Sequence, residues 1–465
     1  MPTPAHASPA AARTGQTEIR ALTGLRIVAA GWVVLVHFGV FLTPYTDQFV
    51  FVRAVLGAGW IGVELFFILS GFLLARGYLD ECGRRPTPRT VGRFLFNRFA
   101  RVWPAWALVT VLMGGWLFLV RASGRTADVY TVHPEVSVEA IARQLSMTQM
   151  WGMPNMVGAS FVAPGWSISA EWTAYLAFPV LAVLLRPLRH LHPVVNLGLA
   201  HAAVVPLALI AYRTGPMDVD SSWVLRIACG FLAGVFVALA LRDVRPSART
   251  ESIGLALSVA SIFLLVMLCF WASWRRGGEL ADYSQVGVLA FPGLIAGLAL
   301  TTRGPARVLA TPALVYGGRI SYCLYLTHYL LLDVMCTVLW QDPAQRWVMT
   351  PAIALGMPFL LLATLPVSAA LHHLVEEPAR RALVGLLRPT RRPAARPQVR
   401  VAAAGRVSPA VPRARLHAVA AAQVDPSLPQ GLRTSVSAAV PSVPSPRRAA
   451  PVESQTDCLP AQVAI

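Results

Sequence analysis

Apolar stretches follow one another along most of the chain and are separated by shorter polar segments. Ten of them have roughly the length that an α-helix needs to cross a bilayer, about 20 residues. They lie at 25–43, 60–77, 102–121, 166–184, 194–212, 223–241, 253–273, 285–302, 319–340 and 350–375. The pattern therefore predicts an all-α polytopic membrane protein with about ten transmembrane helices and a lipid bilayer around it.

The two ends of the chain lack this pattern. Residues 1–24 are polar and rich in Pro and Ala, and residues 383–465 are rich in Pro, Ala and Arg with almost no aromatic side chains. Such segments cannot bury enough apolar surface to fold. We expect a disordered amino-terminal segment at 1–24, a transmembrane domain at 25–382 and a largely disordered tail at 383–465.

Composition supports a membrane protein and gives it an orientation. The chain has 465 residues, of which 55% are hydrophobic and only 13% are charged, and all 40 of its basic residues are arginine. The segment between the second and third stretches carries seven of them: Arg76, Arg84, Arg85, Arg89, Arg93, Arg98 and Arg101. Because short cytoplasmic loops are enriched in basic residues, both termini are predicted in the cytoplasm and the protein in the inner membrane of a bacterium. The net charge of +18 does not indicate a nucleic acid partner, since much of it lies beside the spans or in the tail.

The first apolar stretch carries two ionisable residues, Arg26 and His37. At about 100° per residue, their spacing puts both on one helix face, roughly 16 Å apart along the axis. An ionisable group inside a membrane is expensive and marks a functional candidate. The alternative is a histidine whose hydrogen bonds are satisfied by a neighbouring helix.

Two further stretches carry buried acids. Glu64 lies near the start of the second stretch, where the small residues Ser70 and Gly71 permit the close approach of another helix. Two compatible interpretations apply to Glu64: an ion pair that locks two helices, and a partner that orients His37 and stabilises its protonated form. Glu171 is the third candidate catalytic residue, and Ser167 precedes it by one helical turn on the same face.

Basic and aromatic residues complete the candidate set. Arg98 and Arg101 share a helix face at the start of the third stretch, where they are either ordinary cytoplasmic arginines or two guanidinium groups for donor phosphates. Tyr322, Tyr325 and His328 recur at three-residue spacing, either as packing or as the wall of a site. The six cysteines form no paired Cys-x-x-Cys set, so neither a metal site nor a disulfide framework is predicted.

Several blocks of sequence together resemble the acyltransferase family 3 membrane proteins, bacterial O-acyltransferases of the ten-span type. The matching blocks are Arg26-x10-His37, GVELFFILSGF (62–72), RFARVWP (98–104), WSISAEW (166–172), SYCLYLTH (321–328) and EEP (376–378). The family usually has aspartate where this chain has Glu64, which keeps the charge and lengthens the arm. The esterase-like carboxy-terminal domain of some members is not expected here.

The resemblance implies transfer of an acetyl or other short acyl group from acyl-CoA, as co-substrate, to a hydroxyl of a sugar, a glycan or a glycosylated natural product such as a macrolide. It implies no bound cofactor. Under this hypothesis His37 acts as general base, and the arginines at the cytoplasmic mouth bind the donor phosphates. A proton-coupled secondary transporter is the alternative, because buried acids and a histidine could also form a proton relay.

Overall fold

The computed structural model describes residues 18–46, 48–84, 86–215, 219–275 and 282–386. These residues form helices and connecting loops and contain no strand. The fifteen α-helices are α1 (Arg20–His37), α2 (Gly39–Thr46), α3 (Val50–Gly57), α4 (Gly62–Arg84), α5 (Pro88–Ala122), α6 (Val138–Leu145), α7 (Trp166–Leu185), α8 (Pro193–Thr214), α9 (Ser222–Leu241), α10 (Ala248–Arg275), α11 (Phe291–Leu300), α12 (Pro305–Leu309), α13 (Pro312–Leu339), α14 (Pro351–Leu371) and α15 (Glu377–Leu386).

The prediction of an all-α protein with ten spans is confirmed. Ten helical segments of the described residues are long and apolar enough to cross a membrane, and they include the long helices α1, α4, α5, α7, α8, α9, α10, α13 and α14. The remaining segment is Tyr283–Leu300, a 3₁₀ stretch that continues into α11. The chain is therefore a multi-pass membrane protein.

The helices give the bundle two distinct ends. We call the end where α1, α5 and α13 begin the basic end, and the end that carries the long connection 123–165 the loop end. Helices α1 and α13 run parallel, because Arg26 contacts Ser321 near the basic end and His37 contacts His328 farther along. Helices α4 and α9 are parallel in the same way. The membrane orientation predicted from the arginine distribution, with the basic end in the cytoplasm, stays a prediction.

Glycines allow the parallel pairs to approach closely. A Cβ atom on Gly318 of α13 would lie 1.8 Å from the carbonyl oxygen of Thr23 on α1. A Cβ on Gly234 of α9 would lie 2.0 Å from the carbonyl oxygen of Ile68 on α4. Backbone contact of this kind brings side chains of distant sequence within hydrogen-bond distance, as small residues do between membrane helices.

Two predicted boundaries are wrong. Helix α1 begins at Arg20 rather than at residue 25, because Ala21 and Leu22 are buried and Arg20 donates hydrogen bonds to the carbonyl of Ala310. Helix α15 continues to Leu386, past the predicted start of the tail at 383, and Glu377 accepts hydrogen bonds from arginines one turn later. The rest of the predicted tail, 387–465, and residues 1–17 lie outside the described residues.

Candidate functional site

His37 and His328 meet in the interior of the bundle. His37 is the last residue of α1, and His328 lies on α13 with its side chain fully buried. Nε2 of His328 lies 3.4 Å from Nδ1 of His37, and the two ring centroids are 5.1 Å apart. The two candidate histidines lie on different predicted spans, and the packing of α1 on α13 brings them together as one pair.

The hydrogen bonds assign the tautomers of both rings. Nδ1 of His37 lies 2.8 Å from the carbonyl oxygen of Val33, and Nδ1 of His328 lies 3.0 Å from that of Leu324. A carbonyl only accepts, so both Nδ1 atoms carry the proton. The lone pair on His328 Nε2 then faces the Nδ1–H of His37. No described residue hydrogen-bonds to Nε2 of His37, so this atom has a lone pair available to accept a proton.

Aromatic rings surround His37. Trp60 and Tyr329 contact the imidazole edge-on, with centroids 4.8 and 5.2 Å away. Tyr130, from the long connection, packs on Tyr329 and donates a hydrogen bond of 2.9 Å to the carbonyl oxygen of His37. This bond satisfies a carbonyl freed by the end of α1. The ring is thus held from the loop end as well as from its own helix.

Arg26 belongs to a second polar cluster, nearer the basic end. Its Nε donates to Oγ of Ser321 at 3.4 Å, and its guanidinium interacts electrostatically with Glu171. Oε1 of Glu171 accepts hydrogen bonds from Ser70 at 2.7 Å and from Tyr175 at 2.5 Å. Glu171 and Ser70 are therefore brought together as candidates, but around Arg26 and not around His37.

Glu64 does not contact His37, so that expected partnership is wrong. The Glu64 side chain is fully buried and accepts a hydrogen bond from Arg226 of α9. Arg226 also stacks over Trp166, with its guanidinium carbon 4.4 Å from the ring centroid. The parallel packing of α4 on α9 sets this pairing. The helix-locking interpretation of Glu64 agrees with this geometry.

Arg98 and Arg101 lie on neighbouring faces of α5 and have different surroundings. Arg101 forms an ion pair with the buried carboxylate of Glu376, so it already has a counter-ion. Arg98 forms no ion pair with a described residue, and its guanidinium lies over the ring of Tyr78 at 5.6 Å. It also interacts electrostatically with Arg26. Of the predicted pair, Arg98 is the guanidinium without a carboxylate partner among the described residues.

The remaining candidates on α7 and α13 form structural hydrogen bonds. The hydroxyls of Ser167 and Tyr325 lie 2.8 Å apart, and both donate to the carbonyl oxygen of Pro164 at 2.9 Å. Tyr322 donates to the carbonyl oxygen of Val102 at 2.9 Å. Tyr325 also lies 6.0 Å from His328 between ring centroids, so it belongs to the wall around the histidine pair.

Three residues near Arg101 have ligand atoms that could meet at a metal ion, although no metal site was predicted. One ligand atom each of Cys323, His372 and Glu376 lies within 4.8 Å of the others. Oε2 of Glu376 accepts hydrogen bonds from the Cys323 thiol at 3.0 Å and from Nδ1 of His372 at 2.9 Å. With Arg101 on the same carboxylate, the charge of Glu376 is already balanced. Hydrogen bonding accounts for the cluster.

Sequence reasoning missed a buried ion pair at the loop end. Nε2 of His133 lies 3.0 Å from a carboxylate oxygen of Asp333, an ion-pair contact without hydrogen-bond alignment, and Asp128 contacts the other ring nitrogen. Burial lowers the pKa of His133, but the two carboxylates outweigh this and raise it to about 9. The hydrogen bond from His133 in turn lowers the pKa of Asp128. The signal that could have revealed this pair is Asp333, a charged residue inside an apolar span. Arg226, a charged residue in another apolar span, could have been identified in the same way.

Comparisons with known proteins agree on one activity. Residues 19–373 match the model of a family described as an acyltransferase domain. The chain is 28% identical over 400 residues to acyltransferase MdmB of Streptomyces mycarofaciens, which covers 80% of this chain and 94% of that protein. It is 25% identical over 309 residues to peptidoglycan O-acetyltransferase OatA of Listeria monocytogenes, which covers 60% of this chain and 46% of OatA. The chain thus aligns with less than half of OatA. No solved structure matches it.

Proposed function

We propose that this chain, which belongs to acyltransferase family 3 and is an acyltransferase, moves a short acyl group from acyl-CoA to a hydroxyl of a glycosylated acceptor at the bacterial inner membrane. The observation that carries the proposal is the free lone pair on Nε2 of His37, in a ring fixed by Val33 and His328. A general base needs such an atom, held in one tautomer and open to a substrate.

The proton follows a short route in this reaction. His37 Nε2 takes the proton of the acceptor hydroxyl while the hydroxyl oxygen attacks the thioester carbonyl. The carbon–sulfur bond then breaks, and the departing CoA thiolate takes the proton from Nε2. Because the proton returns to a product, one turnover leaves His37 unchanged and needs no external proton donor.

Two features of the surroundings offset part of the cost of a buried cation on His37, which contacts no carboxylate of the described residues. Protonation of Nε2 strengthens the bond from Nδ1–H to the Val33 carbonyl and to His328 Nε2. His37 ends α1, where the helix dipole favours a positive charge. The rings of Trp60 and Tyr329 cover part of the imidazole and reduce its contact with water, which opposes the cation. His328 acts here as a positioning residue, because it touches His37 and not the reacting hydroxyl.

The donor enters from the opposite direction in this proposal. Arg26 and Arg98 lie toward the basic end, which the arginine distribution puts in the cytoplasm, where acyl-CoA is made. A guanidinium without a carboxylate partner suits a phosphate group, and Arg98 meets this description. The helix length between Arg26 and His37, roughly 16 Å, separates the phosphate-binding part of the donor from the thioester.

The acceptor class follows from the relatives and from the aromatic side chains. The names of MdmB and OatA describe an acyltransferase and a peptidoglycan O-acetyltransferase. Trp60 and Tyr130 are partly exposed near His37 and offer rings on which a sugar face can pack. A glycan or a glycosylated natural product such as a macrolide satisfies both, and we propose that class without choosing between its members.

Acceptor-dependent release of free CoA by purified protein tests the proposal. We expect release from acetyl-CoA with glycosylated acceptors, and loss of the acylated product from the envelope or secreted metabolites of a knockout strain by mass spectrometry. The matched control is His201→Gln, because His201 lies on α8 with Nδ1 bonded 2.9 Å from the carbonyl of Leu197, as in His37. Full activity of His37→Gln would contradict the proposal, as would equal losses in the two variants.

A further inference from the structure

Four arginines surround one carboxylate at the basic end. The carboxylate of Asp80, on α4, lies within 4 Å of guanidinium nitrogens from three parts of the chain. Arg242 makes two hydrogen bonds to it, at 3.2 and 2.7 Å. The other three are Arg84, Arg186 and Arg189, at 3.8, 3.5 and 3.5 Å. Arg242 also lies 3.8 Å from a carboxylate oxygen of Asp243. Four guanidinium groups against two carboxylates leave two positive charges in excess.

This excess is not required for an ion pair. One arginine would neutralise Asp80, and each added guanidinium repels the others. The cluster is also partly enclosed, since Arg186, Arg189 and Arg242 expose less than a third of their side chains. Nε of Arg186, which lies 3.5 Å from a carboxylate oxygen of Asp80, is buried and makes no aligned hydrogen bond to a described residue. The arrangement is that of a binding site for a further anion.

A cavity of about 670 Å³ opens beside the cluster. Asp80, Asp243 and Arg242 line it together with Arg76 and Arg245, so that three arginines against two aspartates leave its rim positive. The inner wall is apolar and includes Phe72, Leu79, Leu239 and Leu300. An apolar wall beneath a basic rim matches a ligand that has a phosphate group attached to an apolar body.

The cavity is separate from the proposed active site. Its α4 wall includes Phe72 and Asp80, whereas Ser70 of the same helix contacts Glu171 on α7. The other walls come from α9, the connection 242–246, the start of α10 and the end of α11, none of which contributes a residue to the histidine pair. Ile19, before the first residue of α1, also lines the cavity, at the opposite end of that helix from His37. Helix α4 thus lies between the two.

We infer that the arginine cluster around Asp80 and the adjoining cavity bind the phosphate group of an amphiphile. Arginine recognises phosphate through paired, charge-assisted hydrogen bonds. Two sources supply this chemistry at a cytoplasmic membrane surface, an anionic phospholipid of the inner leaflet and the phosphates of CoA. The phospholipid arm of the test does not depend on the proposed function.

Binding is measured in two arms with the full chain. The first is native mass spectrometry after exchange into nanodiscs of equal phosphatidylglycerol and phosphatidylcholine, and the second is equilibrium binding of CoA. Arg242→Gln should lower the affinity for one of these ligands about tenfold or more, since a charged hydrogen bond is worth roughly 1.5–3 kcal/mol. Arg245→Gln removes a rim charge that makes no ion pair with a described residue, so it tests the site even if Arg242→Gln folds poorly.

Asp80→Asn distinguishes a binding site from a structural ion cluster. Removing the competing carboxylate should raise affinity for the phosphate ligand, by about tenfold at contact distance. The control is Arg307→Gln, an exposed arginine of α12 at the same end, which should change neither arm. Loss confined to phosphatidylglycerol assigns the site to lipid, and loss confined to CoA assigns it to the donor. The inference is overturned if Arg242→Gln and Arg245→Gln leave both arms unchanged, or if Asp80→Asn weakens binding.

Discussion

The ion pairs at the loop end and the arginine cluster around Asp80 at the basic end differ in charge balance and in burial. At the loop end, Glu64 is paired with Arg226, and Asp333 is paired with His133; all four side chains are at least nine-tenths buried. At the basic end, Asp80 is one carboxylate among four partly exposed arginines. In the first arrangement the charges are balanced and buried, whereas in the second the positive charges are in excess and partly exposed to solvent.

This difference separates rigidity from binding. Breaking a buried pair leaves an uncompensated charge in a low-dielectric interior, so the loop-end pairs fix the helices around His37. A half-exposed cluster of like charges gains little from its own contacts and gains most from an added anion. We therefore expect substitutions in the two loop-end pairs to change stability or turnover, and substitutions in the arginine cluster around Asp80 to change ligand affinity.

The largest expected effect is on turnover, from His37→Gln. The amide keeps hydrogen bonding and approximate size but cannot accept the proton, so kcat should fall roughly 10²–10⁴-fold. Donor affinity should stay the same, because the proposed phosphate contacts are at Arg98 and Arg26. Turnover per membrane-resident protein and donor binding are measured separately. Near wild-type turnover would remove His37 from the mechanism.

The second effect is on stability and depends on pH through His133. Its pKa in the folded protein is about 9, above the ordinary value of 6.5. The charged ring therefore stabilises the fold fully below pH 6.5, and this contribution, about 3 kcal/mol, is lost as the pH rises through 9. Thermal unfolding of purified protein across this range measures it.

The control for this experiment is His133→Gln, which cannot titrate at that position. Its melting temperature should be lower than that of the native chain at neutral pH and should change less between neutral and alkaline pH. Identical pH profiles for the two proteins would show that the His133–Asp333 pair contributes nothing, and the loop end would then not differ from the basic end in this respect.

The third effect separates two arginines that the sequence treated as a pair. Arg98→Ala should raise the apparent KM for acyl-CoA by roughly 10–150-fold, the weight of one charge-assisted contact, with Arg98→Lys a poor rescue. Arg101→Ala should instead lower the amount of folded protein, because Glu376 would be left buried without its counter-ion. Steady-state kinetics and membrane abundance are measured for both. A normal donor KM in Arg98→Ala would contradict the assignment.

The smallest expected effect is that of the tail. A chain that stops after Arg388 should insert and turn over as the full chain does, because the remaining sequence lacks the apolar residues for a core. The matched comparison is a chain that stops after Leu371, which removes Glu376 and should fail to accumulate. Low activity in a normally abundant Arg388 truncation would contradict this prediction and show that the tail contributes to turnover.

Periodicity predicted the helices well, and pairing was predicted poorly. Ten apolar stretches appear as ten spans, since each stretch is long enough by itself to require a helix in a bilayer. The partner of Glu64 could not be read from its own stretch, because Glu64 and Arg226 are 162 positions apart and only the packing of α4 on α9 sets the contact. Their buried partners could have been noticed, because Arg226 and Asp333 are charged residues inside apolar stretches of the sequence.

The parallel packing of α1 and α13 has a consequence for synthesis. His37 and His328 are 291 positions apart, and chains grow at roughly 5–20 residues per second, so the first helix waits about 15–60 s for its partner. During that interval the face of α1 that carries Arg26 and His37 has no native neighbour on α13. The proposed catalytic centre is thus among the last contacts to form, and an incomplete nascent chain contains the base without the residue that orients it.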